Sequence, residues 1–187
     1  MAAILLAQLD CANSDPGEPD PAAPASPYDF VLAWGSPGSA DGQFSFFNGP
    51  TAAGVAVDAD GFVYVADWGN HRIQKFDADG NFVTKWGSYG DGAGQLFQPA
   101  GIAVGPTGAI FVTETGNHRV QRFSPTGVFQ AKWGSRGAGE GQFEAPEGIV
   151  VTWDNKVYVA DTYNHRIQQF DPIGTFVRAW GDSGTAA

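Results

Sequence analysis

GVAVDADGFVYVADWGNHRIQKFDADGNFVTKWG at residues 54–87 is followed by GIAVGPTGAIFVTETGNHRVQRFSPTGVFQAKWG at 101–134 and GIVVTWDNKVYVADTYNHRIQQFDPIGTFVRAWG at 148–181. The three stretches align without a gap at an interval of 47 residues, which relates Gly54 to Gly101 and Gly148, and His71 to His118 and His165. Each copy is one structural unit that cannot bury its apolar face alone, so the copies are expected to stack. Turn signals divide each copy into four β segments. The first (GVAV, GIAV, GIVV) is apolar on both faces, as a buried inner strand is. The second (FVYVAD in the first copy) is β-branched and aromatic, the third (HRIQKF) alternates, and the fourth (NFVTKW) ends on a tryptophan. No stretch has helical periodicity.

Composition agrees with that reading. Gly numbers 26 of 187 residues and Phe 14, against a single Met, which suits short strands joined by tight turns. Hydrophobic residues make up 43%, enough for a packed core. Asp and Glu total 20 against 10 Lys and Arg, a net charge of −10 that argues against affinity built on neutralising phosphates, so nucleic acid is not an expected partner. One Cys excludes an internal disulfide framework and a cysteine-based zinc site. No apolar run is long enough to span a bilayer as a helix.

Four antiparallel strands repeated at this length are the pattern of propeller blades. NHRIQ, preceded by VYVAD and followed by the phenylalanine and WG of the fourth strand, resembles the NHL repeat, whose proteins form six-bladed β-propellers. The fold class expected is therefore all-β: a partial β-propeller of three four-stranded antiparallel blades, half of a six-bladed ring. The repeats span 54–88, 101–135 and 148–182 within a segment 28–187. FVLAWG at 30–35 matches an isolated fourth strand, bringing the expected total to thirteen. The third copy already has its own fourth strand, so FVLAWG has no vacant place in this chain. Each end blade is expected to expose an apolar face. A longer gene product, two chains closing one ring by self-association, and an open arc all remain consistent with three blades.

The recurring polar residues are expected to brace each blade. Asp67 and Asn70, Glu114 and Asn117, and Asp161 and Asn164 sit where the second strand turns into the third. Arg72, Arg119 and Arg166 lie across that turn, where a bidentate pair with Asp67, Glu114 and Asp161 would fasten it. His71, His118 and His165 are expected to donate one ring nitrogen to backbone and to pack between blades. Equivalent positions on neighbouring blades are too far apart for one zinc ion, which needs nitrogens at about 2.0–2.1 Å. Trp86, Trp133 and Trp180 end the fourth strands and suit packing between blades. Gly80, Gly127 and Gly174 suit a positive φ in the hairpin before them. DADG at 58–61 and 77–80 holds too few carboxylates for a calcium site. No catalytic, metal or cofactor residues are identified.

Residues 1–9 (MAAILLAQL) are apolar, Cys11 follows, and residues 12–27 are Pro-rich and acidic, a linker composition. This arrangement resembles the start of a bacterial lipoprotein, which implies a leader over 1–11, lipidation of Cys11 as the one link to a membrane, and an exported or cell-envelope location. An unprocessed leader with a Cys of no consequence is the other reading. As to function, the repeats imply a non-catalytic binding or scaffold module for a protein, peptide or glycan. The alternative is part of a propeller enzyme, lyase or lactonase-like, with its metal site on other blades.

Overall fold

The computed structural model describes residues 32–46 and 54–181. The leader, Cys11 and the linker at 12–27 lie outside the described residues.

Three four-stranded antiparallel sheets follow one another along the chain. A two-residue parallel pair, β1 (Ser36–Pro37) with β2 (Gln43–Phe44), precedes them. Blade 1 comprises β3 (Val55–Val57), β4 (Val63–Asp67), β5 (Arg72–Phe76) and β6 (Phe82–Trp86). Blade 2 comprises β7 (Pro99–Val104), β8 (Ile110–Glu114), β9 (Arg119–Phe123) and β10 (Phe129–Trp133). Blade 3 comprises β11 (Pro146–Val151), β12 (Val157–Asp161), β13 (Arg166–Phe170) and β14 (Phe176–Trp180). Neighbours in sequence are neighbours in each sheet, and Asp67 pairs with Arg72, Glu114 with Arg119 and Asp161 with Arg166 at the head of the middle hairpin. In blades 1 and 3 that hairpin turns through one 3₁₀ turn, Trp68–Asn70 and Thr162–Asn164.

The core lies between blades. Tyr64, Ala66 and Ile73 of blade 1 meet Ile102, Ile110, Val112 and Phe123 of blade 2, with Leu96 of the connector among them. Phe111 and Val120 of blade 2 meet Val157, Val159 and Phe170 of blade 3, with the connector's Phe143. The sheet of blade 2 buries one face against blade 1 and the other against blade 3, the propeller solution to burying both faces of a short sheet. The three sheets do not close into a ring.

One expectation is corrected here. There are fourteen strands among the described residues, not thirteen, and the described part of FVLAWG, Leu32–Gly35, forms none of them. None of its described residues pairs with the edge of a sheet. Its Trp34 nevertheless lies across Gly80 and 6.2 Å from the Phe76 ring. The inner strands are buried in the middle blade only, and the end blades each expose an apolar face, as expected. Ile102 and Ala103 of blade 2 are buried, whereas Val55 and Val57 of blade 1 and Val150 of blade 3 are exposed, because among the described residues no blade packs on those faces.

Candidate functional site

One side of the blades is formed by the turns between second and third strands and by the Gly-rich connectors that lead into each blade. A buried carboxylate organises each unit. Asp67 Oδ1 accepts Ser45 N (2.8 Å), and Oδ2 accepts Arg72 Nε (2.7 Å) and Gln74 Nε2 (3.1 Å). Asn70 Nδ2 reaches both oxygens at 2.9–3.0 Å. Asp161 repeats this with Glu144 N, Arg166 Nε, Gln168 Nε2 and Asn164 Nδ2. Glu114 does so with Phe97 N, Arg119 Nε, Gln121 Nε2 and Asn117 Nδ2. All three carboxylates are fully buried. Several charge-assisted hydrogen bonds replace the lost water at each, which is what a buried charge requires.

The bidentate pair expected between Arg and Asp is not what forms. Arg72 gives Asp67 only its Nε and points its two terminal nitrogens at the carbonyls of Ser39, Ala40 and Gln43. Arg166 does the same to Ala138, Gly139 and Gln142. Only Glu114, one methylene longer, takes two contacts from its arginine, Nε at 2.6 Å and Nη2 at 3.3 Å. The guanidinium thus ties the connector to the blade that follows it.

The histidines also differ from expectation. His71 Nδ1 accepts Gln98 N at 3.2 Å and His118 Nδ1 accepts Ala145 N at 3.0 Å, so each imidazole accepts from the connector of the next blade rather than donating. All three occupy the left-handed region, with φ of 56°, 52° and 54°. His71 and His118 serve different junctions between blades, and no group of three His, Cys, Asp or Glu with metal-holding geometry occurs among the described residues. Burial lowers the pKa of His71, opposed by the nearby Asp67.

Gln74, Gln121 and Gln168 escaped the sequence reading. Each is buried, accepts a connector glycine amide (Gly42, Gly94, Gly141) through Oε1 and donates Nε2 to the carbonyl of Gln43, Gln95 or Gln142 as well as to the carboxylate. Their recurrence at the 47-residue interval was the available signal.

On top of this constant frame, a few exposed positions change from copy to copy. Tyr89, where Arg136 and Pro37 stand in the other connectors, is 66% exposed. It packs 5.2 Å from both His71 and Phe97. At the next junction Arg136 Nε instead meets Glu144 Oε2 at 3.1 Å. Tyr163, at the place of Gly69 and Gly116, is 61% exposed, with its amide held by Glu144 O at 3.1 Å. In a repeat protein, constant residues hold the frame and variable exposed ones are free to meet a ligand. This face therefore presents two tyrosines among mixed charge on a rigid support, a surface suited to recognition.

Comparison with known proteins agrees with the geometry. The family model for the NHL repeat matches residues 50–76, 98–123 and 143–170, and the chain carries three consecutive NHL repeats. Similar curated proteins include RING finger protein nhl-1 of Caenorhabditis elegans, 41% identical over 63 residues (34% of this chain, 6% of the relative). Protein brain tumor of Drosophila melanogaster is 41% identical over 66 residues (35% and 6%). The chain therefore spans only a small part of the relatives it matches. Among solved structures, a streptogramin B lyase superposes with a TM-score of 0.57 at 20% identity, covering 71% of this chain and 41% of that one. A nidogen/laminin complex gives 0.55 at 24% identity, covering 70% and 48%. These likenesses establish the propeller fold.

Proposed function

We propose that this chain is a non-catalytic binding module that engages a protein or peptide partner through the connector face. The observation that carries the reading is the contrast between the repeated, buried carboxylate units and the exposed residues above them, Tyr89, Arg136 and Tyr163, which differ between copies. Tyrosine supplies large contact area with few rotatable bonds and is favoured at recognition surfaces. The NHL-repeat relatives support a protein partner, and the net charge of −10 favours a basic one. A glycan would use the same tyrosines as stacking platforms and is the alternative ligand class. An exported or envelope location is proposed from the N-terminal residues alone.

Selection of displayed peptides against the folded protein tests the reading. Binders are expected to lose most of their affinity for Tyr89→Ala and Tyr163→Ala and to keep it for Val128→Ala, exposed on the hairpin before β10. Binders indifferent to both tyrosines would place recognition elsewhere.

A further inference from the structure

We propose that the open face of blade 3 is a docking surface for blade 1 of a second copy of this chain, so that two copies close one ring.

The first observation concerns glycines. Gly54, Gly101 and Gly148 hold equivalent places at the inner strands. Gly54 N donates to Ala100 O of the next blade at 2.8 Å, and a Cβ on Gly54 would collide with that carbonyl and lie 2.8 Å from Ile102 N. A Cβ on Gly101 would collide with Glu147 O of blade 3. Both positions are glycine because the backbone of the following blade lies against them. Among the described residues Gly148 has no such neighbour. The nearest atom to a Cβ there is the Ala160 methyl of its own sheet, at 3.4 Å.

The surrounding side chains repeat the pattern. Tyr64, Ala66 and Ile73 are fully buried under blade 2. Their counterparts Tyr158, Ala160 and Ile167 line a shallow apolar groove beside Gly148 and Val150. Trp86 and Trp133 lie across Gly127 and Gly174 of the following blade, whereas Trp180 covers no such glycine among the described residues and is 45% exposed. At the other end of the chain, Val55 and Val57 are exposed, while their counterparts Ile149 and Val151 pack against the preceding blade.

The chain therefore presents, at one end, the surface that both internal junctions bury, and at the other end the surface that buries it. A second copy carries the matching residues at the matching spacing. Alignment of this chain with 41–48% of the solved propellers puts two copies close to the blade complement of one ring, within the range that propellers adopt. A two-fold axis along the ring then satisfies both seams at once and leaves no open apolar face. One local rearrangement is required. Trp34 covers Gly80, the place that Trp180 of the second copy would take. Trp34 belongs to no strand, whereas Trp180 ends a complete sheet, and the latter displaces the former.

Sedimentation velocity and light scattering on the full chain test this over a wide range of concentration. A closed dimer of twice 19.7 kDa is expected. Gly148→Ala and Val55→Glu should each keep the far-ultraviolet spectrum and the unfolding transition of the isolated chain, since neither position is packed there. Each should weaken the dimer at least about tenfold, by collision or by an unpaired carboxylate in the seam. Mixing the two variants leaves one seam intact and gathers both changes in the other, and should yield a heterodimer tighter than the weaker homodimer. Trp34→Gly should tighten the wild-type dimer. A monomer at every concentration, an open-ended polymer, or a dimer indifferent to both Gly148→Ala and Val55→Glu would each overturn the proposal.

Discussion

Trp86 lies across Gly127 of the next blade, so closely that a Cβ on Gly127 would stand 2.6 Å from the indole. Trp133 has the same relation to Gly174. The last residue of one blade's outer strand is thus seated on the hairpin of the next, and φ at that glycine is 83°. Both constraints, the close approach and the left-handed backbone, point to glycine.

Gly127→Ala should therefore destabilise the chain by about 2–4 kcal/mol, combining backbone strain with displacement of a packed ring. Gly141→Ala is the control, because its φ of 71° is also left-handed but nothing lies within 4 Å of a Cβ there. It should cost about 1 kcal/mol. Urea unfolding of both variants checks the difference. Equal losses would mean that the Trp86 contact contributes little.

Why such contacts escape the sequence can be stated residue by residue. The hairpins were legible because their hydrogen-bond ladders are local, and because Asp, Asn and Gly recur where the chain must turn. Asp67, Asn70 and Arg72 were legible as a unit because all three lie within one hairpin. The division of labour in Arg72 was not, since its terminal nitrogens bond Ser39, Ala40 and Gln43, some thirty residues away. Gln74 was hidden by its strand, where a polar residue between Ile73 and Phe76 passes for a solvent-facing position. His71 accepts rather than donates because the next connector brings an amide to Nδ1, a non-local fact. The exposure of Val55 and Val150, by contrast, was legible from the count of repeats, because an end blade has a neighbour on one face only.

Gln121 bonds three groups at once, the Gly94 amide, the Gln95 carbonyl and the Glu114 carboxylate. Gln121→Leu keeps the volume and leaves those groups short of a partner in a dry site. The expected loss is about 2–3 kcal/mol. Gln121→Glu should cost more, because a second carboxylate would face Glu114. Thermal unfolding of the pair checks the order.

Arg119 holds Glu114 through Nε and Nη2, and holds the connector through Nη1 to Asp91 O and through Nη2 to Gln95 O at 2.9 Å and Gly92 O at 3.2 Å. A lysine cannot meet a carboxylate and three carbonyls with one ammonium group. Arg119→Lys is expected to destabilise by about 2 kcal/mol and to loosen the connector selectively. Hydrogen exchange reads this directly. The amides of Gly90 and Leu96, bonded to Leu96 O and Ser88 O, should exchange faster in the variant, with the β8 and β9 ladder less affected. Uniform acceleration across blade 2 would show that Arg119 supports the whole sheet instead.

His71 makes the junction between blades 1 and 2 sensitive to pH. Its Nδ1 accepts the Gln98 amide, so the bond requires an unprotonated nitrogen, and burial holds the imidazole pKa below its usual 6.5. A depressed folded-state pKa means that the unfolded chain binds the proton more readily. The stabilisation is complete above the unfolded value of about 6.5 and is lost as pH falls below it, through the folded value. Wild-type stability should therefore decline between mildly alkaline and mildly acidic pH, before most carboxylates titrate. His71→Asn tolerates the left-handed backbone and carries no titrating group. It should be less stable than wild type at pH 8, with a difference that shrinks by pH 5.5. Chemical denaturation at both pH values measures this. A constant difference would mean that protonation does not break the Gln98 bond.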